Sequence, residues 1–100
     1  MIVHNIHIHD VLSVLGDPVR LKILDMLKKG HEQCKDINGY VGIHVSDITK
    51  AVEISQPAVS KHLAKLRDVG LVQVERKGQR VYYRRNEDMI DQVKSAVAEL

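Results

Sequence analysis

One hundred residues suffice for one domain with one hydrophobic core, and no internal repeat or low-complexity tract suggests a second. With 44% hydrophobic residues but only three tyrosines as aromatics, the core must come from Ile, Leu, Val and Ala, which suits a compact helical protein. No run approaches the ~20 apolar residues of a membrane span, the N-terminus lacks the basic-then-apolar order of a signal peptide, and the single Cys34 cannot form an internal disulfide, so a cytoplasmic protein is expected.

Apolar residues at Ile8, Val11, Leu12 and Leu15 follow the i, i+3, i+4, i+7 spacing of one helix face and predict a first helix over about residues 6–15. Gly16 breaks it, Asp17 caps a second helix and Pro18 takes its first turn, where no backbone donor is lost. That second helix is expected to run to Gly30. Val19, Ile23, Leu24, Met26 and Leu27 give it a wide apolar arc, leaving Lys22, Asp25, Lys28 and Lys29 to water. Residues 30–43 hold three glycines and no clean period, so they read as a loop. Asn38-Gly39 is a turn signal that would allow a small hairpin between CKDI and YVGI. A short helix capped by Ser46 or Asp47 should then reach Val52, with Glu53-Ile54 as a tight turn.

Ser55 is a natural N-cap for the next helix, with Pro57 in its first turn. Val59, Leu63 and Leu66 share one face, Ala58, Lys61, Lys65 and Asp68 lie opposite, and Ser60 with Arg67 flank one side while His62 flanks the other. Gly70 stops the helix as a left-handed cap. Val72 and Val74 then alternate with Gln73 and Glu75 in the period of a strand, a turn at Lys77-Gly78 reverses the chain, and the return strand carries Val81 and Tyr83 on one face with Arg80, Tyr82 and Arg84 on the other. Val59, Leu63, Leu66, Val72 and Val81 are assigned to the core. From an Asn86 cap the last segment places Ile90, Val93, Val97 and Leu100 on one apolar stripe, with Met89 and Ala96 beside it; such a terminal stripe needs a covering partner.

Charge is segregated along this chain. Residues 55–85 hold eight Lys/Arg against two acids, a net +6, and the other 69 residues hold seven against eleven, a net −4. A helix, short turn and second helix bearing polar and basic residues form a helix-turn-helix, whose second helix enters the DNA major groove by its N-terminal end. The plain alternative is a solvated basic face.

The order is α1-α2-α3-α4-β-β-α5, a mainly α winged helix-turn-helix with a small β-hairpin wing. Three pieces, LGDPVRLKILDML, VSDITKAVEISQPAVSKHLAKLRDVGLV and ERKGQRVYYRRN, resemble the ArsR/SmtB-type winged helix-turn-helix repressors. The resemblance implies one domain over residues 1–100, a homodimer pairing through its first and last helices, and a repressor that leaves its double-stranded DNA operator when an effector arrives. The dimerising residues would be Ile8, Val11, Leu12, Leu15, Ile90, Val93, Val97 and Leu100. The DNA-binding residues it implies are Ser55, Gln56, Ser60, Lys61, His62 and Lys65 on the helix, with Arg76, Lys77, Gln79 and Arg80 on the wing. Gln56 suits a bidentate adenine contact and Lys61 a guanine, while Ser60 suits base or phosphate.

The effector is less legible. Where metal-sensing relatives carry a cysteine pair in a motif like ELCVCD, this chain reads GIHVSD, with His44 and Ser46 in place of the thiols. A second family site on the terminal helix needs histidines, and MIDQVKSAVAEL has none. The remaining metal reading joins His44 and Asp47 to His4, His7 and His9 from the other protomer, an N/O set suited to Zn, Ni or Co; the plain alternative is exposed or capping histidines. Cys34 reads as an inert free thiol before it reads as a redox switch. No phosphate loop, nucleophile elbow or catalytic triad order is present, so no enzyme is expected. A winged-helix protein-protein adaptor without DNA binding shares the fold and stays as the alternative.

Overall fold

The computed structural model describes residues 6–100. Eight elements follow in order: α1 (Ile8–Leu15), α2 (Pro18–Cys34), β1 (Ile43–His44), α3 (Val45–Val52), α4 (Gln56–Asp68), β2 (Val72–Lys77), β3 (Arg80–Arg85) and α5 (Glu87–Ala98).

The capping residues start the helices where their chemistry predicts. Asp17 accepts the amides of Val19 and Arg20 at 2.8 and 3.1 Å, Ser55 accepts Ala58 at 3.3 Å, and Asn86 accepts Met89 at 3.2 Å. α4 closes on Gly70, whose φ of +81° lets its own amide reach the Arg67 carbonyl and the Leu71 amide reach Leu66, both at 2.9 Å. This paired arrangement satisfies carbonyls that a helix end otherwise leaves open.

α2 departs from expectation at its far end. It runs through Gly30 to Cys34, because the missing side chain at Gly30 is an access point rather than a stop: a Cβ there would lie 2.8 Å from the Tyr40 hydroxyl and 2.9 Å from the Ile43 side chain. With Cys34 inside the helix, the hairpin between CKDI and YVGI does not form. Gly39 supplies a left-handed turn at φ +82°, and the chain proceeds into β1. α3 is capped by His44 instead of Ser46 or Asp47; its Nδ1 accepts the Ser46 amide at 3.2 Å and also bonds the Ser46 hydroxyl.

The wing has a third strand. β2 and β3 pair antiparallel with Val74 opposite Tyr83 and Lys77 opposite Arg80, so the two-residue turn is Gly78-Gln79, one residue beyond the expected place, with φ +62° at Gly78. β1 adds to the other edge of β3, Ile43 opposite Tyr83 and His44 opposite Tyr82, giving the order β1-β3-β2.

The core lies where α2, α3 and α4 meet the sheet. Ile23, Leu27, Ile48, Val59, Leu63, Leu66, Leu71 and Val72 are essentially sealed from solvent, and each contributes on the order of 1.5–3 kcal/mol by leaving water. Val11 of α1 and Val93 of α5 close the same cluster at 2% and 7% exposure. Two of the residues expected to dimerise are therefore core residues of the protomer, because α1 and α5 pack on its body through them.

Candidate nucleic-acid interface

α3 and α4 are joined by a turn in which Glu53 takes a left-handed conformation, φ 58° and ψ 36°, and returns its amide to the Thr49 carbonyl at 3.1 Å. This sharp corner lets α4 leave α3 at once, with Val59, Leu63 and Leu66 anchored in the core. The anchoring fixes which side chains point away. Ser55, Gln56, Ser60, Lys61, Lys65 and Arg67 are exposed, as are Arg76, Lys77, Gln79 and Arg80 on the wing.

Helix and wing bound one groove of ≈ 330 Å³. Gln56, Ser60 and Arg67 form its helix wall, Arg76, Val74, Val81 and Tyr83 its sheet wall, and Val45 lies at its end. Val81, assigned to the core from its alternation, is half-buried and lines this groove because it sits two residues nearer the wing tip than Tyr83, which on the same face packs against the apolar centre. Arg67 joins the expected DNA-facing residues. Its signal in the sequence is its place seven residues after Ser60 on the same helix flank. Arg80 lies across the sheet, in a separate cleft with Tyr82, His44 and Asp47.

Two of the basic residues in the +6 stretch are used internally. Arg85 makes a two-pronged pair with Glu87 at 2.9 and 2.6 Å, and Arg84 donates to the Val41 carbonyl at 3.4 Å. The outward cations are Lys61, Lys65, Arg67, Arg76, Lys77 and Arg80. His62 is placed differently from the other expected readers: its side chain is 21% exposed and its Nδ1 accepts the Nε–H of Arg20 at 3.2 Å, turning it toward α2.

The expected metal set is not assembled within one protomer. His44 and Asp47 line the cleft behind the sheet together with Cys34 and Tyr40, whereas His7 lines a pocket between α1, α4 and α5, and His4 lies outside the described residues. Among the described residues no group of three metal-ligating side chains forms. His44 has committed Nδ1 to capping α3. Burial, and to a lesser degree the nearby Cys34, pushes the Tyr40 hydroxyl above its ordinary value.

A helix-turn-helix whose second helix presents polar and basic residues beside an antiparallel wing defines a winged helix-turn-helix regulator. The sequence profile of the bacterial ArsR regulatory family matches residues 17–74, and the chain belongs to that family. The arsenic resistance transcriptional regulator ArsR1 of Pseudomonas putida is 38% identical over 74% of this chain, which spans only 50% of that relative's length. The transcriptional repressor SdpR of Bacillus subtilis is 35% identical, with 78% of this chain and 74% of SdpR covered. Among solved structures, the homodimeric winged helix-turn-helix DNA-binding domain of a Mycobacterium bovis protein superposes with a TM-score of 0.69 at 29% identity, covering 92% of this chain and 78% of that one. These relatives are regulators, which places this chain outside the enzymes. No helix among the described residues is long and apolar enough to cross a membrane.

Proposed function

We propose that the protein is a cytoplasmic, homodimeric transcriptional repressor that binds a double-stranded operator, residues 1–100 acting as one winged helix-turn-helix domain with dimerisation helices at both ends. The observation that carries this reading is the groove in which Gln56, Ser60 and Arg67 of α4 face Arg76 of the wing, while the neighbouring face of α4, with Val59, Leu63 and Leu66, is sealed in the core. α4 enters the major groove by its N-terminal end, with Gln56, Ser60 and Lys61 at base edges and Ser55, Lys65 and Arg67 near phosphates. Arg76, Lys77, Gln79 and Arg80 of the wing follow the backbone or the adjacent minor groove. Dimerisation falls to the apolar groups that the protomer leaves exposed, Leu12 at 44%, Val97 at 43% and Leu100 at 87%, with the half-buried Ile8, Leu15 and Ile90 beside them.

The test is to select bound duplexes from random-sequence DNA and measure their affinity at two salt concentrations. A dimer of this kind enriches inverted repeats whose half-sites are about one helical turn apart, and its affinity falls steeply with salt as counterions are released. Absent or salt-insensitive binding overturns the reading in favour of an adaptor.

A further inference from the structure

One guanidinium group joins three helices behind the DNA-facing surface. Asp17 Oδ1 accepts the amides of Val19 and Arg20, and these bonds, the Arg20 amide foremost, hold its carboxyl below the ordinary value. The first turn of α2 is thereby fixed, and Arg20 with it. From there Nη1 of Arg20 donates to the Val14 carbonyl at 3.1 Å, in the last turn of α1, where helix carbonyls lack internal partners and favour a cation. Nε of the same side chain donates to Nδ1 of His62 in α4 at 3.2 Å, and Asp17 Oδ1 lies 3.9 Å from that nitrogen. Nδ1 accepts this bond only while it carries a lone pair.

We propose that Arg20 and His62 form a clasp that sets how α4 is presented to DNA, His62 acting from behind the helix through Nδ1 as a positioning residue and not as a reader of bases. The inference rests on the proposed entry of α4 into the major groove. Val59, Leu63 and Leu66 hold α4 to the core by apolar contact, which is non-directional and leaves small rolls and slides of the helix inexpensive. A hydrogen bond has a preferred distance and angle and removes that freedom. Because Arg20 also holds the last turn of α1, a shift of α1 is felt at α4 through the same group.

Asparagine and glutamine at position 62 separate the two roles, since the Asn carbonyl reaches the place of Nδ1 and the Gln carboxamide reaches the place of Nε2. The probe is the duplex that the unaltered protein enriches from random-sequence DNA. The clasp predicts that His62→Asn binds it within about twofold of the unaltered protein, and that His62→Gln and Arg20→Leu lose roughly tenfold. The salt slope of His62→Gln should match that of the unaltered protein, because no phosphate contact is removed. Should Arg20→Leu fail to fold, the position-62 pair decides. Nitrogen chemical shifts of the unaltered protein give a readout without DNA: a lone-pair Nδ1 on His62 supports the clasp, and a protonated Nδ1 overturns it. Retained binding in His62→Gln with loss in His62→Asn overturns it while leaving DNA reading intact, as does equal binding by all variants. If the unaltered protein enriches no duplex, the DNA reading fails in the arm that carries no substitution, and the clasp falls with it.

Discussion

Arg85 and Glu87 meet in a two-pronged ion pair, Nε to Oε2 at 2.9 Å and Nη2 to Oε1 at 2.6 Å, which ties the last residue of β3 to the first residue of α5. The arginine is 12% exposed and the glutamate 33%. The hydrogen bonds from Arg85 are the largest influence on Glu87 and hold its carboxyl below the ordinary value. A depressed carboxyl stabilises the fold above its unfolded pKa of about 4.3 and loses that contribution as pH falls through the lower, folded value. Glu87→Gln should therefore flatten the acid limb of stability below about pH 4, and cost no more than about 1 kcal/mol at neutral pH because the glutamate is partly solvated. Chemical denaturation across a pH series measures both; an unchanged acid limb counts against the pair.

Glu53 is the sole non-glycine residue with positive φ among those described, at the corner between α3 and α4. A side chain in the left-handed region costs roughly 1 kcal/mol that glycine does not incur. Glu53→Gly should raise stability by a few tenths to about 1 kcal/mol in thermal unfolding, the gain being reduced by the larger entropy of the unfolded glycine chain. A lowered melting temperature would mean that the Glu53 side chain contributes more than its backbone costs.

How far the sequence can be read depends on the distance between partners. Val59, Leu63 and Leu66 announce the buried face of α4 by spacing alone, and Asp17, Ser55 and Asn86 announce helix starts, because each acts within a few residues of itself. β1 is invisible in the sequence: two residues carry no period, and their partners Tyr82 and Tyr83 lie about forty positions away. Gly30 reads as a stop because its reason, the Tyr40 hydroxyl packed over the helix, belongs to a loop whose path no local pattern reveals. The exposed polar and basic residues of α4 and the wing are legible as a charged flank, yet His62 falls in with them because its acceptor role depends on Arg20, 42 residues earlier. Apolar stripes on α1 and α5 show which face is covered but not by what; Val11 and Val93 are covered within the protomer.

Gly42 holds β1 to β3. Its φ is +124°, and a Cβ there would lie 2.6 Å from the Tyr83 carbonyl carbon and closer still to the carbonyl oxygen, so backbone would have to move. Gly42→Ala should destabilise the protein by about 3 kcal/mol or more, combining the forbidden dihedral with the clash. Amide exchange should locate the loss at Ile43, His44 and Tyr83; a change confined to a few tenths of a kcal/mol would place β1 elsewhere.

Lys61 and Lys65 lie exposed on α4, clear of the core-facing residues. Replacing both by Glu reverses two charges where phosphates or base edges are expected, and should abolish specific binding in a gel shift while leaving the melting temperature within about 2 °C. For every phosphate that the variant no longer neutralises, the slope of log affinity against log salt becomes shallower by about 0.9. Unaltered affinity would put a different helix in the groove.

Leu12 and Val97 are large apolar side chains left 44% and 43% exposed on α1 and α5, the helices that close the core from outside through Val11 and Val93. Because Val11 and Val93 already belong to the protomer, charging either of them would unfold it, whereas Leu12 and Val97 can be charged with the protomer intact. Two half-sites about one helical turn apart need two α4 helices held at a fixed separation, so the proposed dimer would be a condition of tight binding and not an addition to it. Leu12→Asp combined with Val97→Asp buries unpaired charge in such an interface, a penalty of several kcal/mol against association. Sedimentation should show folded monomers, and operator affinity should fall at least a hundredfold with the salt slope roughly halved, since one protomer contacts half the phosphates. A monodisperse dimer with full affinity would move the interface away from this face of α1 and α5.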